Sequence, residues 1–390
     1  MARDASGWVE EMLATIDTEP WVEKGPHSPG LAFSEVLGRR VRTGDWRDQS
    51  ISTYDKIRAA LEAQRWREAA AFIDFFGDEA DVIYGFFRQL IPDTNEFLLN
   101  HGVQKEEIRT INAKILSLLR LPDGRPFKAR RLWEEFRAMQ REAILLCGEK
   151  RAAEALTLLD QYKETWRLVQ DRDVDHLYGL VNEIVRRFGE SALEEMWNYI
   201  IGPLFKVRYA KFDIDQFPWK ESLKTNVYLA FEAMRGHLVG PGRLGNMEFE
   251  ENEERYTFRF DPCGSGGRVL RGDEIEGSPS RMEPPFGWGV TQEKHDFAWN
   301  KKGVCYYCSN CCAVLQLKPI DAFGYPVRVV EPPTYPAEAN KKCTWHIYKD
   351  PKAVPERYYE EVGRRKPAVL GGSAKSPTQK SRQSAKKTSV

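Results

Sequence analysis

The chain has 390 residues, 42% of them hydrophobic and 30% charged, and its formal net charge is zero. That length suits two or three domains of roughly 100–200 residues, each with a real core. A balanced charge argues against attraction of the whole chain to nucleic acid or an anionic membrane, and no apolar run approaches the roughly 18 residues of a membrane span.

The opening segment, MARDASGWVEEMLATID, carries acidic residues where a signal peptide needs an apolar stretch. The expectation is therefore a mature cytoplasmic protein. Residues 1–51 read as a short helix and an irregular arm, broken by Pro20, Gly25, Pro26, Pro29 and Gly30. From Ser52 to about Leu238 the pattern is helical nearly throughout, and residues 52–245 form the expected helical domain. In the stretch from Asp175, Leu177, Leu180, Val181, Ile184, Val185 and Phe188 share one helical face, and Gly189 is a natural stop. A second amphipathic stretch aligns Leu223, Val227, Phe231, Met234 and Leu238 and closes at GPGRLG, 240–245. The segments 65–74 and 151–160 resemble each other, each running through Glu-Ala to two apolar residues and an Asp. A tandem pair of similar helical bundles is one reading; the commonness of Glu and Ala in helices is the other.

Past residue 245 the texture changes. Met247–Phe260 alternates, with Tyr256, Phe258 and Phe260 on one side, which predicts strand. Further strands are expected at Ala313–Leu317, Val327–Val330 and Thr344–Tyr348, between loops dense in Gly and Pro. Residues 246–366 thus read as a smaller cysteine-rich β domain, and the fold class as α+β. Residues 367–390, whose last twenty carry five basic and no acidic residues, read as a disordered tail. The tail alone would give weak, salt-dependent nucleic-acid binding.

Six of the seven cysteines fall in the last third. Clustered thiols in a long intracellular chain point to metal or catalysis rather than to a disulfide framework. Cys305, Cys308, Cys311 and Cys312 lie within eight residues, and two residues between thiols let both sulfurs turn to one point. Tetrahedral zinc needs four such ligands. Cys343 and His346, with the same gap, supply a candidate second half. Either Cys305 with Cys308 or Cys308 with Cys311 makes the first. An iron–sulfur cluster is the competing use of four thiolates. Cys147, alone in the helical region, reads as core packing.

Cys263 stands apart in Asp261-Pro-Cys-Gly-Ser-Gly-Gly-Arg268. It follows an expected strand, and amides of Gly264, Gly266 and Gly267 can face an anion, although a plain turn explains the glycines as well. Arg259, Arg268 and Arg271 are near in sequence. A thiol among cations and amides is suited to attack or ligation. His295, ten residues before the cysteine run, and Glu293 are acid–base candidates. His176, Asp175 and Glu183 share a helical face that equally suits a polar stripe, and His237 at a helix end suits the dipole. The Walker, Rossmann, HExxH and GxSxG patterns are all missing.

The resulting expectation is a zinc enzyme cleaving a small anionic substrate by hydrolysis or a related C–N or C–S scission. Its catalytic groups are Cys263, His295 and Glu293, and Arg259, Arg268 and the three glycines bind the substrate. A structural zinc module beside a helical interaction domain is the alternative, and homo-oligomerisation is left open.

Overall fold

The computed structural model describes residues 29–370 apart from 214–216 and 218. The helix expected near the start and most of the basic tail lie outside the described residues. The α+β class holds: long helices fill the first part and a four-stranded antiparallel sheet follows. Among the described residues no helix is long and apolar enough to cross a membrane.

The arm expected to be irregular contains a hairpin, β1 (Leu31–Ser34) with β2 (Arg39–Arg42), in which Leu31 pairs with Arg42. Its strands are only four residues long, too short for alternation to stand out. Two short helices follow, α1 (Trp46–Ser50) and α2 (Thr53–Glu62). Their capping side chains, Asp45 and Ser52, accept the backbone N–H groups of Asp48 and Asp55, which satisfies otherwise orphaned donors.

Two long helices form the frame, α3 (Trp66–Asn100) and α6 (Ala152–Phe188). Between them lie α4 (Lys105–Leu118) and α5 (Ala129–Gly148). The resemblance between segments 65–74 and 151–160 has a structural counterpart. Each long helix follows a shorter one through a left-handed residue, Gln64 at φ 56° and Lys150 at φ 60°. Each then begins at an arginine in the same conformation, Arg65 (φ −84°, ψ 70°) and Arg151 (φ −96°, ψ 74°). Arg65 N–H donates to Ala60 O and Arg151 N–H to Leu146 O, the same bond in both turns. Phe136 of α5 stacks on Tyr162 of α6 at 4.3 Å, and Phe76 of α3 meets that tyrosine edge-on. Cys147 packs into this core, and burial pushes its thiol up to about 12.

After α7 (Ala192–Tyr209) and α8 (Trp219–Gly236) the chain enters the sheet. Its strands β3 (Glu248–Glu251), β4 (Arg255–Phe260), β5 (Val329–Glu331) and β6 (Cys343–Tyr348) are ordered β3-β4-β6-β5. Alternation turns one face of β4 to the helices, where Phe231 of α8 meets Phe258 at 4.7 Å and Phe249 at 5.0 Å. The strand expected at Ala313–Leu317 is instead a π-helical stretch between helical turns Ser309–Cys312 and Lys318–Phe323. A short apolar run does not by itself distinguish a buried strand from a buried helix, and the π-helical stretch starts immediately after the cysteine run.

Buried ion pairs fasten the helices to the sheet region. Asp171 and Asp175 are one turn apart on α6 and fully buried. Asp171 is 2.7 Å from Arg243 and 2.9 Å from Arg167, and Asp175 is 2.5 Å from Arg268 and 2.9 Å from Arg281. Burial penalises both carboxylates, but the surrounding guanidinium groups outweigh it and hold them below the usual carboxylate range.

Candidate functional site

Three separate segments deliver thiols to the junction of sheet and helices. Cys263 leaves the end of β4, Cys343 opens β6 directly across from Phe260, and Cys305, Cys308 and Cys311 come from the loop and helical turn before the π-helical stretch. Cys308 faces the thiol of Cys305 and lies within electrostatic reach of Cys311 and Cys263, while Cys343 lies within reach of Cys263 and Cys311. None is in a disulfide.

Each sulfur has a distinct environment. Burial raises Cys311 to about 12, against a smaller lowering by the guanidinium of Arg328. Cys343 is raised by burial and then by Cys263 and Cys311. The Cys305–Cys308 pair shares a hydrogen bond that raises Cys308. For Cys305, burial is outweighed by hydrogen bonds from Cys308, from backbone amides and from Tyr178, so the first proton leaves Cys305. The Tyr178 hydroxyl donates to Gly289 O. Cys308, Cys311 and Cys343 are closely surrounded by protein yet keep some accessible surface.

Two of the proposed ligands are engaged elsewhere. Cys312 lies within electrostatic reach of Cys311 but donates its thiol proton to Asp296 O at 3.3 Å. His346 sits on a regular strand, where residues three apart point to opposite faces. Cys343 therefore faces the helices, while His346 lies under Tyr358 and meets Thr257 Oγ1 at 3.0 Å and Glu331 at 3.7 Å. Cys343-Thr-Trp-His346 is strand rather than a ligand knuckle. Among the described residues, no three His, Cys, Asp or Glu side chains stand ready-placed around a metal position.

The glycine loop serves packing rather than presenting amides to an open anion site. A methyl group on Gly266 would fall 2.2 Å from the Cys308 sulfur, and one on Gly264 would fall 1.7 Å from His237 O. Gly264 O accepts from Arg243 at 3.0 Å, and Cys263 Sγ lies 3.5 Å from Ser265 Oγ. The two terminal nitrogens of Arg268 are taken up by Asp175 and by Asp171 O. Arg259 is on the solvent side of β4, paired with Glu250, and is not brought to the thiols. A cavity of about 220 Å³ beside the loop is lined by Arg243, Arg268 and Arg271, but also by Asp261, Asp273 and Glu274. Its charges cancel.

His295 is oriented by a residue far away in sequence. Its Nε2 lies 2.8 Å from Glu190, just past the end of α6, and its ring stacks on Phe297. Glu190 also accepts the Tyr306 hydroxyl at 3.0 Å and the backbone N–H groups of Gln292 and Glu293. Burial opposes ionisation there, and these four donors outweigh it, so Glu190 is held as a carboxylate. The chain passes from Tyr306 directly to Cys305, which links this pair to the thiol cluster. The Glu293 side chain is exposed beside Lys302.

His176 and His237 are absorbed into packing. His176 Nε2 meets Asn112 at 2.7 Å, and burial lowers it to about 4. Glu183 pairs instead with Arg186 and Arg187. His237 Nδ1 is 3.1 Å from Gln170. Sequence reasoning missed Glu190, Tyr178 and Arg328. Each is more than ten residues from the site residue it approaches and carries no local signal. Comparisons of the chain with protein-family models, with curated proteins and with solved structures return no match.

Proposed function

We propose that the gathered thiols hold a metal ion, zinc by preference, and that the protein is an enzyme using it on a small anionic molecule. The observation that carries this reading is the convergence of Cys263, Cys308, Cys311 and Cys343 from three chain segments, with Cys305 touching Cys308. Thiolates are soft ligands that favour zinc or iron–sulfur centres over hard cations. The sulfurs must close in by side-chain rotation on loading and release their protons, since the thiolate is the ligand.

Two features favour an enzyme over a closed structural site. Three of the thiol residues keep accessible surface, whereas structural zinc sites are closed by four ligands. A carboxylate-held imidazole at His295 is also the usual arrangement of a general base, since the carboxylate fixes its tautomer and orientation. Held by Cys308, Cys311 and Cys343, with Cys263 beside it as the nucleophile candidate, zinc keeps an open position that polarises a carbonyl or lowers the pKa of water; hydrolysis or a related C–N or C–S cleavage fits that chemistry. Arg328, the guanidinium within reach of Cys311, replaces Arg259 and Arg268 as the cation closest to a bound anion. The structural-module reading is favoured by one fact, the near-complete burial of Cys263 and Cys305.

Metal analysis of the purified chain and of single Cys→Ser variants tests the proposal. One equivalent of zinc, lost on replacing Cys308, Cys311 or Cys343 but kept on replacing Cys263, supports it; iron with visible absorption redirects it to a cluster. A chain that purifies without metal and gives no thiolate band with Co2+ sinks it. His295→Gln, assayed on a panel of small carboxylate-bearing amides and thioethers, separates the two roles. The enzyme reading expects retained metal and turnover reduced by roughly 10²–10⁴.

A further inference from the structure

The β1–β2 hairpin is held on the helices more by charge than by apolar contact. Of its apolar side chains only Leu31 is buried, while Phe33 and Val36 are 48% and 64% exposed. Its three arginines make the attachment. Arg39 grips Glu232 of α8, and Arg42 donates to the carbonyls of Ile51 and Asp48 at 2.8 Å. Arg40 spans two carboxylates of α3, Asp74 at 2.7 Å and Asp78 at 2.5 Å. The Arg42 N–H donates to the Tyr228 hydroxyl of α8 at 3.1 Å, a bond that exists only while the hairpin is seated. Gly44, at φ 114°, joins the hairpin to α1.

Asp74, Asp78 and Asp81 follow one another along one side of α3, four and then three residues apart. The cations that face this stripe are Arg40 from the hairpin and Arg137 from α5. Arg39 is committed to Glu232, and Arg235 of α8 to Glu79. Gln140 of α5 and the phenol of Tyr162 on α6 add only neutral groups. Two cations thus meet three carboxylates, and a buried carboxylate short of a counter-charge takes up a proton. We infer that the hairpin is a proton-latched arm: a proton held at Asp78, beside Asp74 under the Arg40 fork, keeps it seated on α3 and α8, and loss of that proton loosens it. Burial raises Asp78 to about 7 despite Arg40. When the arm lifts, water reaches that carboxyl, which returns toward the usual value of about 3.9. The seated state therefore holds a proton that the lifted state releases, so seating weakens as pH rises through about 7. Lifting uncovers the carboxylates of Asp74, Asp78 and Glu232 together with Phe72, on which Gly30 packs.

The test is amide hydrogen exchange of the full chain at about pH 6 and pH 8, corrected for the intrinsic change in exchange rate. Across that interval the Arg42 N–H should lose protection roughly tenfold. Asp78→Asn carries a neutral amide in place of the protonated acid, so its Arg42 N–H should be equally protected at both pH values. Equal protection at the two pH values in wild type overturns the inference, as does an Asp78→Asn chain that keeps the wild-type loss. Exchange of Arg42 in step with the core amides of α6 also overturns it, since the arm would then open only with the whole fold. The wild-type comparison decides the matter by itself if Asp78→Asn does not fold.

Discussion

Cys343 and His346 lie three residues apart on one strand and point to opposite faces of the sheet. Cys343 joins the thiols against the helices, and His346 sits on the other side between Thr257, Glu331 and Tyr358. Replacing them should therefore have different consequences. Cys343→Ser should lose bound metal, whereas His346→Gln should keep it and lose only the buried contact with Thr257, about 0.5–1.5 kcal/mol. Metal content and urea unfolding of the two variants decide the point. Equal metal loss in both would contradict the strand geometry.

Cys311 and Cys312 are adjacent but diverge, because Cys312 hydrogen-bonds to Asp296 O. Cys312→Ser retains a donor of similar shape, so it should leave metal binding unchanged and stability within about 1 kcal/mol. Cys311→Ser should abolish thiolate absorption. A metal-free Cys312→Ser protein would be incompatible with this division of roles.

Gly266 gives the Cys308 sulfur its space. A β-carbon there would fall 2.2 Å from that sulfur, inside any permitted contact, and the thiol would have to rotate away. Gly266→Ala should fold, since small adjustments at a side-chain tip cost about 1–3 kcal/mol, but it should bind metal more weakly than wild type. The same change at Gly264 meets the backbone oxygen of His237 and should cost more stability, read as a lower Tm.

Asp175 neutralises Arg268 and Arg281 in a site with almost no solvent contact. Asp175→Ala would leave buried cations short of a partner, and the expected loss is about 3–5 kcal/mol. The pH dependence has a definite sign. Asp171 and Asp175 are held below the unfolded carboxylate value of about 3.9. Their contribution is therefore complete above that value and disappears as pH falls through their folded pKa. Unfolding free energies at pH 7 and pH 3 should differ less in Asp175→Ala than in wild type.

His176 adds a second acid-sensitive term at higher pH. Burial lowers it to about 4, against about 6.5 in an unfolded chain. Between those values the unfolded state binds the extra proton, so stability rises with pH across the window and levels off above it. His176→Gln should keep a hydrogen bond to Asn112 and flatten the profile between pH 4 and 6.5. An unchanged slope in denaturation curves would show that this histidine titrates normally.

The sequence by itself was enough to identify a long helical part followed by a small cysteine-rich sheet. Hydrophobic spacing of 3.6 over residues 177–188 and of 2 over residues 256–260 reports local geometry directly. The resemblance between segments 65–74 and 151–160 likewise marked two turns with the same backbone, because a helix start is a local event. The same local view could single out the thiols of Cys263, Cys305, Cys308, Cys311 and Cys343 by residue type. It could not decide which of them meet. In sequence Cys343 lies far from β4, yet strand register pairs it with Phe260 at the end of β4, close to Cys263. The face of β6 removed His346, one turn of backbone removed Cys312, and ion pairing with α6 removed Arg268 as an open anion site. Each of these depends on contacts between residues tens to hundreds of positions apart. Glu190 at His295 became visible only there, since direction in space is set by packing and pairing rather than by spacing along the chain.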